Sequence, residues 1–237
     1  MTRLHFILLV IFTGFFNLYA QQYEFGIGAG GGNYIGDIGK EYYFMPNKAG
    51  GQIFFKRTVN PWFSTRLNVQ YFDVFAGDFE AESLGRQKRA MFIDGGIMQF
   101  SAGIEYNFLP RNPYIPTPRG QRLTPYMFTG LGVSSYFGTL YKGDDAVVDY
   151  NGTTLQIPMV LGIKYKLSRH FLISIETSAH YYFSDNLDGT EFYYGDQRKN
   201  DKYMRTPSTN LNSNDWFTFT SFSLIYTFGD LQCYFNM

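Results

Sequence analysis

The segment from Ile97 to Phe108 has the sequence IMQFSAGIEYNF, in which apolar residues alternate with polar or small ones. Successive side chains of a β-strand point to opposite faces, so this alternation predicts a strand with one apolar and one polar face. The polar face contains Glu105, whereas the apolar face ends in Tyr106 and Phe108. One face of this strand is therefore expected to contact a hydrophobic environment, and the other a polar one.

Seven further segments of similar length have the same two-residue period. An even number of such strands, with aromatic residues at their ends, is typical of a small outer-membrane barrel. The sequence therefore predicts an all-β fold, an eight-stranded antiparallel transmembrane β-barrel of the outer-membrane type. The predicted strands are Tyr23–Tyr34, Ala49–Thr58, Trp62–Phe72, Ile97–Phe108, Thr124–Phe137, Thr154–Leu167, Phe171–Phe183 and Trp216–Phe228.

The N-terminus has the three parts of a secretory signal peptide. Arg3 supplies a positive charge, Leu4 to Phe16 is apolar, and Ala20 is a small residue suited to cleavage. We expect residues 1–20 to be the signal and residues 21–237 to form the outer-membrane barrel domain. An uncleaved membrane anchor is the alternative for the first segment.

The composition favours a barrel over other classes of membrane or binding protein. Aromatic residues make up 20% of the chain, yet the mean hydropathy is only −0.21. A barrel can be polar on average because only every second strand residue faces lipid, whereas a helical membrane protein is far more apolar. Without Arg3 the chain has 19 basic and 20 acidic residues, which argues against nucleic acid as a partner.

Short and long connections between the predicted strands alternate, as they do in barrels with periplasmic turns and extracellular loops. Tight turns follow the second and sixth strands, and long links follow the first, third, fifth and seventh. Both termini are then expected in the periplasm. The connection Leu109 to Leu123 is the exception, because it is long and contains four prolines, which make it extended and stiff. Its arginines are candidate contacts for a periplasmic partner, although a simple spacer is the alternative: Arg111, Arg119 and Arg122.

Four charged residues lie in the middle of the polar strand faces. A charge that faces lipid would cost about 2–4 kcal/mol, so these side chains are expected to point inward. The interior of an eight-stranded barrel is just wide enough to be filled by side chains, which predicts a closed barrel and not a pore. We expect the alternating glycines of the first strand to make room for these long side chains. The predicted lumen charge network is Arg66, Glu105, Lys164 and Glu176.

The sequence offers little sign of catalysis or of ligand chemistry. His170 and His180 lack metal-ligand spacing, no Ser–His–Asp arrangement stands out, and the strand glycines do not precede a helix as those of a nucleotide loop do. No cofactor, metal or small-molecule substrate is expected. Cys233 lies beyond the last strand, where a lone thiol is a candidate for a disulfide to a partner or for a free thiol.

Several motifs resemble one known family. They include GIGAGGGNYIGDIG from Gly26 to Gly39, RLNVQY from Arg66 to Tyr71, SAGIEYNF from Ser101 to Phe108, and TPYMFTGLGV from Thr124 to Val133. In this order they resemble PorG, the outer-membrane barrel component of the type IX secretion system of Bacteroidetes. The resemblance spans nearly all of residues 21–237, although Leu109 to Leu123 matches no motif of that family.

The resemblance implies a non-enzymatic function. A PorG-like barrel would contact outer-membrane lipids and anchor or contact the periplasmic ring built from PorK and PorN. Three alternatives remain open from the sequence. The first is a general small barrel acting in adhesion or surface protection through its extracellular loops, and the second is a lipid-modifying barrel enzyme. The third is a soluble lipocalin-like barrel with its apolar face inside.

Overall fold

Eight strands account for most of the residues that the computed structural model describes, which are 22–35, 48–80, 84–109, 122–143, 145–184 and 216–229. A 3₁₀-helix at Asp78–Glu80 and the helix α1 at Leu84–Arg89 lie between the third and fourth strands. No helix in these ranges is long and apolar enough to cross a bilayer. The strands are β1 Tyr23–Ile35, β2 Lys48–Thr58, β3 Phe63–Gly77, β4 Met91–Asn107, β5 Leu123–Lys142, β6 Asp145–Lys166, β7 Phe171–Tyr182 and β8 Trp216–Phe228.

The strands close into a barrel in which each one pairs antiparallel with the next. Closure is completed by β8 and β1, whose register runs from Tyr23 opposite Phe228 to Ile35 opposite Trp216. A closed barrel has no sheet edge with unpaired backbone groups. The predicted fold class, an eight-stranded antiparallel barrel of the outer-membrane type, is confirmed.

The two faces of each strand differ as the alternation predicts. On β4 the outward Phe100 and Ile104 are 51% and 56% exposed, whereas the inward Ser101 and Glu105 are buried. Exposed aliphatic and aromatic side chains of this kind surround the barrel. They form the apolar band expected of a lipid-facing wall, and the soluble alternative with its apolar face inside is wrong.

The end of the barrel that holds Tyr23 and Phe228 is here named the turn end. Their rings stack at 5.8 Å between centroids, and Phe63 and Tyr106 pack nearby on β3 and β4 at 5.0 Å. Aromatic residues at this level are typical of the girdle at a membrane interface.

The connections after β2 and β6 are tight turns, as predicted. The amides of Val59 and Asn60 both donate to the Phe63 carbonyl, and the Asn60 side chain accepts from the Phe63 amide at 2.8 Å. After β6, the amide of Leu167 donates to the Phe171 carbonyl at 3.0 Å.

The opposite end, here named the loop end, differs from the prediction. Strand replaces most of the long link expected at Gly138 to Thr153 and both ends of the one expected at Asp73 to Gly96, because β3 to β6 continue past their predicted ends. Gly143, with φ at 64°, lies at the tip of the β5–β6 hairpin. The polar residues that indicated loops lie on the outer face of these extensions.

The inner face of the same extensions is apolar, and this explains why they remain strands. Val74, Ile93 and Leu140 are each at most 5% exposed. Burial of such side chains on one face stabilises a strand even where its other face is polar.

Several predictions fall outside the described residues. They are the signal peptide at 1–20, the arginines Arg111 and Arg119, the long link between β7 and β8, and Cys233.

Candidate functional site

The barrel lumen is the candidate functional site, and charged side chains occupy it near the turn end. Arg66 from β3, Glu105 from β4, Lys164 from β6 and Glu176 from β7 all point inward and are at most 3% exposed. These four residues, together with Lys56, are here named the charged layer.

Arg66 and Glu176 form a bidentate ion pair. Arg66 Nη2 lies 2.8 Å from Glu176 Oε1, and Nη1 lies 3.0 Å from Oε2. Arg66 Nη1 is also 3.6 Å from Glu105 Oε2, and Lys164 Nζ donates to Glu105. The four residues named from the sequence are therefore in direct contact across the lumen.

Lys56 is a member of this layer that the sequence reasoning did not name. Its Nζ lies 2.6 Å from Glu105 Oε2 and 4.4 Å from the centroid of the Phe54 ring. The strand pattern gave a weak signal, because Phe54 and Phe55 are both aromatic and Lys56 and Arg57 are both basic. In this part of β2, only the pair Gln52 and Ile53 shows a polar residue next to an apolar one, with Gln52 inward and Ile53 outward.

Glu24 lies at the same level and is 2% exposed. In the β1–β2 register it is directly opposite Lys56. With Glu24, the lumen contains three carboxylates and three cationic side chains at this level. A balanced set of this kind matters because an uncompensated buried charge is strongly destabilising.

Aromatic rings support the charged layer. The Arg66 guanidinium lies 4.2 Å from the centroid of Phe54, and Lys164 Nζ lies 4.4 Å from that of Tyr126. The Tyr126 hydroxyl donates to Glu176. Cations over ring faces gain attraction from the ring quadrupole, so the rings stabilise the charges as well as filling space.

The alternating glycines of β1 do not make room directly for the long charged side chains, as predicted: Gly26 and Gly32 make room for rings, and Gly28 and Gly30 for backbone and small or amide side chains. A Cβ atom at Gly26 would overlap the Phe54 ring, and one at Gly32 would overlap the Phe217 ring. The Arg66 guanidinium lies over the Phe54 ring, which packs beside Gly26. Gly26 therefore supports the position of Arg66 only indirectly, through this ring.

Amide, hydroxyl and imidazole groups occupy the middle of the lumen and are here named the amide layer. Gln52 connects it to the charged layer, because its Nε2 donates to Glu176 Oε1 at 2.5 Å and to Ser221 Oγ at 2.9 Å. Gln156 Nε2 donates to Gln99 Oε1 at 3.0 Å. The members of the layer are Gln52, Gln99, Gln156, Ser178, His180 and Ser221.

His180 takes part in a contact chain that resembles a catalytic arrangement. Its Nε2 lies 2.9 Å from Ser178 Oγ and its Nδ1 lies 2.7 Å from Gln156 Oε1. A hydroxyl, an imidazole and an orienting group are the parts of an activated nucleophile. Here the orienting group is a neutral amide, and all three side chains are at most 3% exposed in the lumen. These contacts of His180 are more consistent with a packing role than with catalysis.

Apolar side chains fill the lumen at the loop end and are here named the aromatic layer. Phe72 and Phe217 stack with 3.8 Å between centroids and 6° between planes, and Phe219 packs beside them at 5.7 Å. The Tyr182 hydroxyl accepts from Gln99 and so joins this layer to the amide layer. The sequence reasoning did not foresee an apolar inner face here. The layer contains Phe72, Tyr136, Tyr150, Tyr182, Phe217 and Phe219, among other buried apolar residues.

The candidate partner contacts are not part of the lumen. Arg122 is exposed at the turn end, and its carbonyl accepts from the Lys166 amide at 2.8 Å. Arg111, Arg119 and Cys233 lie outside the described residues. Within the described ranges, no group of three His, Cys, Asp or Glu side chains could hold a metal ion.

Comparison with solved structures places this fold among integral outer-membrane proteins. A major outer-membrane protein from Thermus thermophilus has a TM-score of 0.52 and 15% identity, over 89% of this chain and all of that one. Neisserial surface protein A gives 0.49 and 11%, over 89% of this chain and all of that one. Ail, the attachment invasion locus protein of Yersinia pestis, gives 0.48 and 11% with the same coverage. At such low identity the first of these shows the fold alone.

Sequence comparison gives a family without an assigned activity. Among curated protein sequences, none matches this chain. The sequence model described as "Domain of unknown function (DUF6089)" matches residues 2–237, and the chain therefore belongs to the DUF6089 family.

Proposed function

We propose that this chain is a non-enzymatic outer-membrane barrel of the type IX protein secretion machinery, and that it anchors or contacts the periplasmic PorK/PorN ring. The resemblance of its motifs to PorG supports the secretion role. The observation that carries the scaffold role is the filled lumen, in which the charged, amide and aromatic layers follow one another from the turn end to the loop end.

A filled lumen favours an anchor over a channel. Bulky buried side chains occupy both ends, with Arg66 and Lys164 at one and Phe72 and Phe217 at the other. A barrel of this kind offers its partners a rigid outer surface and its two rims. Cargo would then leave the cell through a separate, larger channel.

The proposed orientation places the turn end and both termini in the periplasm. A short peptide tag inserted after Gly143 should be labelled by antibody on intact cells, because this residue is at the tip of a loop-end hairpin. The same tag inserted between Leu109 and Leu123 should be labelled only after the outer membrane is permeabilised. Labelling of the second tag on intact cells would reverse the orientation.

The proposed ring contacts are Arg111, Arg119, Arg122 and Cys233. The three arginines are close together in sequence in the connection after β4, and Arg122 is exposed at the turn end. Three like charges in a proline-stiffened segment suit an acidic partner surface. Cys233 follows β8, which ends on the same side, and is proposed to form a disulfide with a partner or to remain free.

Deletion of the gene tests the secretion role. We expect the deletion strain to retain type IX cargo in the cell while general outer-membrane permeability changes little. Charge reversal of Arg111, Arg119 and Arg122 to glutamate should reproduce part of the defect and reduce co-purification of PorK and PorN. Cys233→Ser should remove a high-mass band on non-reducing gels if the disulfide forms.

Arg169→Glu is the matched control, because Arg169 is also an exposed arginine in a connection at the turn end. It should leave secretion and co-purification unchanged. Normal cargo secretion by the full deletion strain would reject the secretion role. A negative result for Cys233→Ser alone would reject only the disulfide.

Adhesion or surface protection is the second candidate function. The extension of β3 to β6 past the apolar band favours it, since it presents two long hairpins at the loop end. A deletion strain that secretes cargo normally but loses attachment to surfaces or resistance to external agents would support this alternative.

A further inference from the structure

The outer wall of the barrel has a groove on the extended part of β3 to β6. Its volume is about 520 Å³, which lies within the usual range for small-ligand sites. Aromatic and acidic side chains dominate the lining, which includes Tyr71, Asp73, Asp94, Phe137, Asp149 and Asn151.

A glycine in the strand register lets two of the lining side chains come together. Gly96 lies opposite Asp73 on one side and Phe137 on the other. A Cβ atom at Gly96 would lie 2.9 Å from both Phe137 Cζ and the Tyr71 hydroxyl. Because this position has no side chain, the Phe137 ring and the Tyr71 hydroxyl pack over Gly96, which is itself buried. Phe137 and Tyr71 are still 50% and 44% exposed.

Hydrogen bonds hold two of the carboxylates at the groove in place. The Tyr71 hydroxyl donates to Asp73 Oδ1 at 2.9 Å, and Thr139 Oγ1 donates to Asp149 Oδ1 at 2.7 Å. Each of these bonds uses one oxygen of its carboxylate. A carboxylate held in this way is a strong acceptor for a further hydroxyl or amine donor.

The groove lies immediately past the apolar band. Val133 and Leu131 precede Phe137 along the outer face of β5 and are 45% and 70% exposed, as expected of lipid-facing residues. At the far end of the groove, the lining residue Tyr141 stacks on Phe92 with 4.6 Å between centroids. On the proposed membrane insertion, this level is that of the headgroups of the outer leaflet.

The lining excludes two kinds of headgroup ligand. A directly bound metal ion does not fit, because the described acidic residues form no group of three able to hold one. A phosphate does not fit either, since Asp73, Asp94 and Asp149 would repel it. Lys48 Nζ, at 3.9 Å from Asp94 Oδ1, is the cation that the structure places beside them.

We propose that this groove binds the saccharide part of the outer-leaflet glycolipid that surrounds the barrel. Aromatic rings pack against the C–H faces of a sugar ring, and its hydroxyl groups donate to carboxylate and amide oxygens. Phe137 and Tyr71 supply the first kind of contact, and Asp73, Asp149 and Asn151 supply the second. This ligand explains why exposed aromatic rings and acids coincide just outside the lipid band.

Binding to the purified, folded barrel in detergent tests the proposal. The first probe is the oligosaccharide that mild acid releases from lipopolysaccharide, titrated by calorimetry. The second is intact lipopolysaccharide in nanodiscs, compared with nanodiscs of phospholipid alone. We expect both saccharide probes to bind, with the intact glycolipid tighter, and Phe137→Ala to weaken binding by about tenfold.

The chain offers matched controls on the same outer wall. Phe100→Ala removes a ring of equal exposure, 51% against 50% for Phe137, from the lipid band and should leave saccharide binding unchanged. Asp149→Asn should weaken binding several-fold, whereas Asp145→Asn at the hairpin tip should not. No binding of the oligosaccharide, equal affinities for wild type and Phe137→Ala, or tighter binding of inorganic phosphate would each overturn the proposal. None of these results bears on the secretion role, which the deletion strain tests separately.

Discussion

Replacing Glu105 with alanine should lower the free energy of unfolding of the barrel by about 3–5 kcal/mol, the usual cost of removing one partner from a buried ion pair. Glu105 is fully buried and accepts contacts from Lys56, Arg66 and Lys164. Without it, three cations would share the lumen with too few carboxylates. Denaturant unfolding of the purified barrel, followed by its gel mobility and tryptophan fluorescence, measures the change.

Asp145→Ala is the control for this experiment, because Asp145 is an exposed acid at the loop end. An exposed charge contributes little, so its removal should change stability by less than about 1 kcal/mol. A second variant, Lys164→Met in the Glu105→Ala background, should recover part of the loss by removing one uncompensated cation. Equal losses of stability in Glu105→Ala and Asp145→Ala would show that the contacts of Glu105 do not stabilise the folded barrel.

The inward position of the four charged residues followed from strand periodicity and the cost of charge in lipid. Arg66 and Glu105 lie in long, cleanly alternating segments, so their faces were unambiguous. Lys56 was missed because β2 has two aromatic and two basic residues in sequence, and the alternation is lost at that point. Periodicity gives the face of a residue only where the neighbouring residue is of the opposite kind.

The contacts among these residues could not be derived from the sequence. Arg66 and Glu176 are on β3 and β7, which are not adjacent strands, and they meet only because the barrel is narrow. The support that Phe54 and Gly26 give to Arg66 likewise depends on the register of β1 against β2. A strand pattern predicts faces, whereas the register and the barrel radius decide which side chains meet.

The extensions of β3 to β6 are strands that the sequence pattern wrongly predicted to be loops. The outer face of each strand was expected to be apolar along its whole length. Polar residues on that face were therefore assigned to loops, among them Asp73, Asp94 and Asp149. The inner face at this level is apolar, so the polarity of the two faces is exchanged where the strands leave the apolar band. A change of environment along one strand reverses the pattern without ending the strand.

We expect this barrel to be a sealed scaffold, because the side chains that fill its lumen block the passage of ions. An ion would have to displace the stacked rings of Phe72 and Phe217 and then break the Arg66–Glu176 pair. Each of these two layers opposes the passage of an ion, because the rings exclude water and the ion pair is held by bidentate hydrogen bonds. The expected conductance of the wild-type barrel is therefore zero, in contrast to that of a water-filled porin.

Single-channel recording in planar bilayers measures this conductance. The purified barrel is inserted, its folded state is checked by heat-modifiable gel mobility, and a porin reconstituted in the same way serves as the positive control. We expect no sustained current from the wild-type protein at any applied voltage that the bilayer withstands. Steady, reproducible single-channel currents from the folded wild-type barrel would contradict it.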